Sequence, residues 1–421
     1  MMHGLQYHPA MKNWILSFLA VVAVGLAACE SVSLPTFDLG ANKEPPRPAV
    51  LAKGPMRGLW ITRWDYRTPK DVTEAIERAA ALGVTDIFWQ VRGQGDAFYR
   101  SQIEPWGEEL LADLPKGARD PGFDPLELAV VQAHLKGMRL HAWINVMPLW
   151  KGKTPPKSTE HPWQTHPEWR LYDQSGHMQA LGDHYVIANP VLEEVQDYIV
   201  RVVADIVVRY DIDGVHLDYI RFVSESMDSK ATYPGDPRSI GLFTKATGRR
   251  GLVSEDDQRA FRAWKRNRIT DLVRRIKREA VDRRSGVMYT AAVWREPSIG
   301  QIQYLQDAAL WVKEGTMDLI MPMIYTDDDA MFRSDYEAWK AAAGAERVVP
   351  GLGVYKHKSP AQTVRQIEIA GSPAGYALFA YATIFDSANP LESKTQAAKD
   401  QRRVMREGLR PYIRRESERK P

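Results

Sequence analysis

At 421 residues the chain is long enough to bury a sizeable core, and 44% hydrophobic with 26% charged residues lies close to ordinary globular composition. A net charge of +3 is too small to argue for a nucleic-acid partner. The single cysteine excludes intrachain disulfides and any zinc site built on several thiolates.

The chain opens on a targeting pattern. Met11-Lys12-Asn13 leads into WILSFLAVVAVGLAAC, a short positive start followed by an apolar run too short for a comfortable membrane span and ending in small residues. This resembles a bacterial lipoprotein signal, with Leu26-Ala27-Ala28 as the recognition box, Cys29 as the lipidated residue and Met11 as an alternative start. By resemblance to sorting in Gram-negative bacteria, Glu30 after the cysteine points to a lipid anchor in the outer membrane, facing the periplasm. Residues 1–28 then form the signal, and 29–54, rich in Pro, Ser and Lys, a flexible tether.

From Arg57 to about Phe385 one rhythm repeats. GLWIT (58–62), TDIFWQV (85–91), RLHAWINV (139–146), GVHLD (214–218), VMYTAAV (287–293), DLIMPMI (318–324), RVVPGLGV (347–354) and GYALFAY (375–381) are short apolar runs, mostly separated by segments with helical periodicity. Eight strands alternating with helices predict an α/β fold, a (β/α)₈ TIM barrel over 55–390, with enlarged loops after strands two, three and four. A doubly wound sheet is the alternative, but RGQGDAF lacks the third glycine of a phosphate turn, so no cofactor is called for. Residues 391–421 read as a C-terminal helix with a basic tail. Such a run is usually a solvated helix end, and its sharper reading is a salt-sensitive attraction to anionic envelope polymer.

The strand ends carry the chemistry. In DGVHLDYIRF, a period of two puts Val215, Leu217 and Tyr219 on one face and His216 and Asp218 on the other, with Asp218 at the carboxyl end where a barrel keeps its active site. The bland alternative is that Asp218 caps the next segment or pairs with Arg221. Arg92 and Asp96 follow strand two, and His141 and Asn145 belong to strand three. Trp294-Arg295-Glu296 and Tyr325-Thr326-Asp327-Asp328, beyond strands five and six, supply candidate second carboxylates. His141 taken alone reads as a core histidine, and Arg92 as a structural partner for a carboxylate; convergence on one barrel face favours a site. Trp64, Trp294, Tyr325 and Tyr355 sit in loops, and their flat apolar bodies with polar tips suit the CH face and hydroxyl rim of a sugar. There is no Gly-x-Ser-x-Gly elbow, Walker loop or first-strand His-x-His pair.

The segments RGLWIT, FWQVRGQGDAFYRSQIEPW, FDPLELAVVQAHLKGMRLHAWIN, HPEW, NPVLEEVQDYI and YDIDGVHLDYIRF resemble, in order, the glycoside-hydrolase-like family 10 lipoproteins. The resemblance implies a glycosidase-like barrel in the cell envelope, with glycan strands of peptidoglycan, including peptide-free strands, as partner. It carries over Arg92, Asp96, His141, Asn145, His216, Asp218 and Arg221 as the polar motif residues. Val146 and Phe222 stand where the family often has proline. The expected mechanism has Asp218 as nucleophile or base, oriented by His216 and Arg92, and Glu296 as the acid with Trp294 as its apolar wall. Two other classes stay open. One is a glycan-binding lipoprotein without catalysis; the other is a metal-dependent deacetylase or amidase using His141, His216 and Asp218.

Overall fold

The structure, a computed structural model, describes residues 54–222 and 230–418. Cys29 and the segment before it therefore lie outside the described residues. The strands are β1 (Met56–Ile61), β2 (Asp86–Arg92), β3 (Arg139–Asn145), β4 (Pro148–Gly152), β5 (Gly182–Ile187), β6 (Gly214–Asp218), β7 (Met288–Val293), β8 (Leu319–Ile324), β9 (Gly351–Gly353) and β10 (Gly375–Phe379). All but β4 and β5 close into a barrel in the order β1-β10-β9-β8-β7-β6-β3-β2, with parallel pairing throughout. The predicted (β/α)₈ architecture is the observed one.

Period-two alternation divides the core. Leu59, Ile87, Trp89, Leu140, Val215 and Leu217 face the surrounding helices, while Met56, Trp60, Phe88, Trp143, Met321 and Ala377 fill the interior. The helix Glu193–Arg209 shows how the outer layer holds: Val195, Ile199, Val202, Val203 and Ile206 recur at helical spacing and are buried. Each such side chain contributes roughly 1.5–3 kcal/mol of burial. Helix starts are fixed locally, as at Thr68, whose hydroxyl accepts from the Asp71 N–H while Asp71 bonds back, with Pro69 opening the helix Pro69–Leu82.

Three local outcomes differ from the expectations. The seventh barrel strand is regular only over Gly351–Gly353, because Pro350 has no N–H for the ladder and Val348 makes just an isolated bridge to Ile320. The enlarged loop after β3 is present and holds two strands that were not among those expected: β4 and β5 pair antiparallel over the barrel mouth. Tyr219 does not share the outer face with Val215 and Leu217, since the strand ends at Asp218 and Tyr219 takes φ of 50°.

The basic tail is packed in part. In the helix Gln396–Glu418, Met405, Leu409 and Ile413 are buried, and Arg402 pairs with Asp386 at 2.6 Å. Among the described residues no helix is long and apolar enough to cross a membrane.

Candidate active site at the barrel mouth

A cleft of about 220 Å³ opens at the carboxyl ends of the strands. Its floor and walls come from Trp60 on β1 and Thr62 just after it, Gln90 on β2, Trp143 and Asn145 on β3, Asp218 at the end of β6 with Tyr219 and Arg221 after it, and Tyr325 and Phe379 beyond β8 and on β10. Trp64 and the hairpin residues Lys151 and Tyr185 add one side. Two glycines in β9 make room for the aromatics. A Cβ on Gly351 would lie 3.0 Å from the Trp60 ring, and one on Gly353 would lie 2.8 Å from the Tyr325 Cβ.

Asp218 and Asn145 are register neighbours at the ends of β6 and β3, so both side chains reach the cleft together. Asp218 Oδ1 accepts from the Tyr219 N–H at 2.6 Å and from Arg221 Nη1 at 3.1 Å. No hydrogen bond within the described residues occupies Oδ2. The Arg221 pairing is thus real, and it coexists with a place in the cleft. Tyr219, in the left-handed region, turns its ring under the Arg221 guanidinium at 4.2 Å. A bulky residue held there is a strained position of the kind that gathers at functional sites.

Several expected site residues take other roles. His216 does not touch Asp218: its Nε2 accepts from the Trp60 indole at 3.1 Å and its Nδ1 meets Thr290 Oγ1 at 2.9 Å. Indole is donor only, so Nε2 is bare and Nδ1 carries the proton. Burial, and then the neighbouring His141, push its pKa well below the usual histidine range and keep the ring neutral. His216 is therefore a positioning residue for Trp60, a wall of the cleft. His141 lies deeper, bonded to Asp86 at 2.9 Å and stacked on Phe88. Burial alone would raise the Asp86 carboxyl, but His141 and Arg139 hold it well below the carboxylate range. With His141 committed to Asp86 and His216 to Trp60, the metal constellation is not assembled, and among the described residues no group of three His, Cys, Asp or Glu is placed to hold an ion.

Arg92 is a buried tie rather than a sugar contact. Its guanidinium meets Glu104 at 2.8 Å and donates to the main-chain oxygens of Asn145 and Val146, fixing the end of β3 from below. Glu296 is corrected most sharply. It caps the helix Pro297–Gln303, accepting from the Ser298 and Ile299 N–H groups, and does not line the cleft. Burial, the largest single influence, raises its pKa, but the Ser298 and Ile299 bonds together outweigh it and the net shift is downward, the opposite of what a general acid requires. Trp294 stacks on Tyr304 at 3.9 Å and also stands off the cleft. Tyr355 is half exposed at the rim, edge-on to Tyr325 at 6.0 Å. Asp327 and Asp328 do not line the cleft, and Asp328 caps the helix Asp329–Ala343. Among the described residues, Asp218 is the one carboxylate lining the cleft.

The sequence reading missed a second layer behind Trp64. Arg63 is 1% exposed, donates to Glu109 at 3.0 Å and to the Tyr185 hydroxyl at 3.1 Å, and lies 4.0 Å from the Trp64 ring centre. Trp64 Nε1 donates to the same Glu109 oxygen at 3.2 Å. Asp96 belongs to this layer: Oδ1 accepts from the Gly93 and Gln94 N–H groups, while Oδ2 is buried without a partner. Burial first, then Glu109 and Glu104, raise its pKa to about 7 against the pull of Arg63. A carboxyl whose folded pKa exceeds its unfolded value binds its proton more tightly when folded. Its contribution is thus greatest below the unfolded value of about 3.8 and declines as pH rises towards 7. Asp96→Asn is expected to flatten the fall of the thermal midpoint between those pH values. Asp65, raised by burial to about 6, preserves part of it. An unchanged slope in the variant rules this assignment out.

A family model described as Glycosyl hydrolase-like 10 matches residues 55–363. The chain is similar to Glycosyl hydrolase DigH of Escherichia coli K12, 26% identical over 343 residues covering 72% of this chain and 74% of that protein. It is also similar to Glycosyl hydrolase YngK of Bacillus subtilis, 26% identical over 303 residues, with 64% and 54% covered. Among solved structures it resembles the glycoside hydrolase domain of PgaB (BpsB) from Bordetella bronchiseptica, with a TM-score of 0.57, 12% identity and coverage of 83% and 99%. The catalytic domain of β-amylase from Paenibacillus polymyxa gives a TM-score of 0.55 at 9% identity, covering 85% and 100%. At those identities the structural likeness speaks for the barrel alone.

Proposed function

Because the chain belongs to the glycosyl hydrolase-like 10 family, we propose that it hydrolyses glycosidic bonds in cell-envelope glycan, in particular peptidoglycan strands freed of peptide. The observation that carries this reading is Asp218: one oxygen is tied by Tyr219 and Arg221, and the other is open to a cleft walled by Trp60, Trp64, Trp143, Tyr185 and Tyr325. Aromatic walls stack sugar rings, and a carboxylate at that depth stabilises positive charge developing at the anomeric carbon, as nucleophile or as base for water. Arg221 and the Tyr219 N–H hold and orient it, the task first given to His216 and Arg92.

A second reading, glycan binding without catalysis, is favoured by one observation. Glu296 and Asp328 are spent on helix caps, and Asp327 does not line the cleft either, so among the described residues no second carboxylate faces Asp218. Mass analysis of products from purified peptidoglycan, intact and amidase-treated, separates the two. Glycan fragments with new reducing ends from the treated strands support hydrolysis; tight binding without fragments supports the binding protein.

The proposal includes a lipid anchor at Cys29 and an outer-membrane location. Acylation contributes about 0.8 kcal/mol per buried methylene, enough that its loss is visible in fractionation. Cys29→Ser is expected to move the protein from the membrane pellet to the soluble fraction, and full retention of the variant in the pellet overturns the anchor.

A further inference from the structure

Three cleft residues carry formal charge, and their balance is uneven: Asp218 stands against Arg221 and Lys151. Asp218 and Arg221 satisfy one another at 3.1 Å. Lys151 is left over. It comes from β4, where alternation buries Trp150 on one side and sends Lys151 to the other, and β5 places Tyr185 on the same side. Its Nζ lies 5.7 Å from the Tyr185 ring centre. Its neighbours on this segment are paired, Lys153 with Asp183 and Lys157 with Glu108, whereas no carboxylate among the described residues pairs with Lys151. An unpaired ammonium beside an aromatic wall presents a charge to whatever stacks there.

We propose that Lys151 is a specificity-determining residue that pairs with a carboxylate carried by the sugar itself, selecting acidic over neutral glycan. The inference rests on the glycan reading above and adds which glycan. A sugar ring stacked on Tyr185 or Trp64 brings an acidic substituent within reach of Nζ, in a cleft whose own carboxylate is already paired with Arg221. Two sources supply that chemistry: a lactyl ether whose peptide has been removed, and the ring carboxylate of a uronic acid.

The test uses the full chain and calorimetric binding to four strands of matched length: peptide-free peptidoglycan glycan, its methyl ester, a neutral N-acetylglucosamine oligomer and an oligouronate. The acidic strand is expected to bind the native protein about five- to tenfold more tightly than its ester, a preference that shrinks at high salt because the pair is solvent-accessible. Lys151→Met should erase that preference while leaving the ester and the neutral oligomer within about twofold, and Lys151→Arg should restore most of it. Lys151-dependent binding of the lactyl strand or of the oligouronate supports the proposal and identifies the source. Neutral and acidic strands bound alike by the native protein, or an equal loss on acid and ester in Lys151→Met, overturns it while the glycan reading stands. No binding of any strand overturns the glycan reading, and this inference with it.

Discussion

Asp218→Asn is expected to abolish turnover on glycan strands while leaving binding and fold in place. Asparagine keeps the Oδ1 acceptor for the Tyr219 N–H and Arg221 Nη1, so the local backbone at φ 50° has the same support. What disappears is the negative charge at the cleft. A positioned carboxylate acting in acid–base chemistry contributes typically 10²–10⁴-fold, about 3–5 kcal/mol of barrier, and a loss of that size is the expected result. Rates of strand cleavage, the dissociation constant for the same strand and the thermal midpoint measured together check it. Turnover near the native rate sinks the assignment of Asp218.

Glu296→Gln provides the matching control. A capping carboxylate whose hydrogen bonds go to Ser298 and Ile299 and which stands off the cleft has no route to the glycosidic oxygen, so the variant is expected to cleave within a few-fold of the native rate. Its cost belongs to the helix start, on the order of 0.5–1 kcal/mol or less, since glutamine caps less well. A hundredfold loss of turnover would reinstate Glu296 as the acid.

The barrel was legible in the sequence because its signal is repeated and local. Each strand is a short apolar run, each run is followed by a helix, and a closed parallel sheet buries both faces, so the alternation survives in every unit. Asp218, Asn145, Arg221, Trp64 and Tyr325 were legible for a related reason: polar or aromatic residues just past a barrel strand reach the mouth. The failures share a different cause. His141 lies deep in its strand, and register alone, not residue type, decides whether such a histidine meets Asp86 or solvent. Glu296 stands directly before a proline and a helix, and Glu-Pro-Ser is as good a cap signal as an acid signal. Tyr185 and Lys151 belong to a hairpin inside a long loop. The alternation in PLWKG and DHYVI could have suggested it, but pairing across 29 intervening residues (153–181) leaves no local turn signature. Arg63 follows the first strand beside the Trp64 that was chosen. Its partner Glu109 comes from a distant helix, so the pairing has no sequence signal.

Arg92 tests whether the motif residues act by touching sugar or by holding the frame. Its side chain and that of Glu104 are 2% and 0% exposed, the Tyr198 hydroxyl donates to Glu104 at 2.5 Å, and the guanidinium spans to the end of β3. Burial alone would lower the arginine pKa, but Glu104 keeps it charged. Arg92→Met removes the cation and leaves a buried carboxylate with one hydroxyl partner, together with the Asn145 and Val146 carbonyls stripped of a donor. Breaking a buried pair from one side costs about 3–5 kcal/mol, so a large drop in denaturant midpoint is expected, with glycan binding weakened because Asn145 loses its support. The double variant Arg92→Met with Glu104→Gln should recover a good part of that stability, since no unpaired charge remains to be desolvated. A sugar-contacting arginine predicts the reverse pattern: native stability in Arg92→Met, loss confined to binding, and no recovery from changing Glu104.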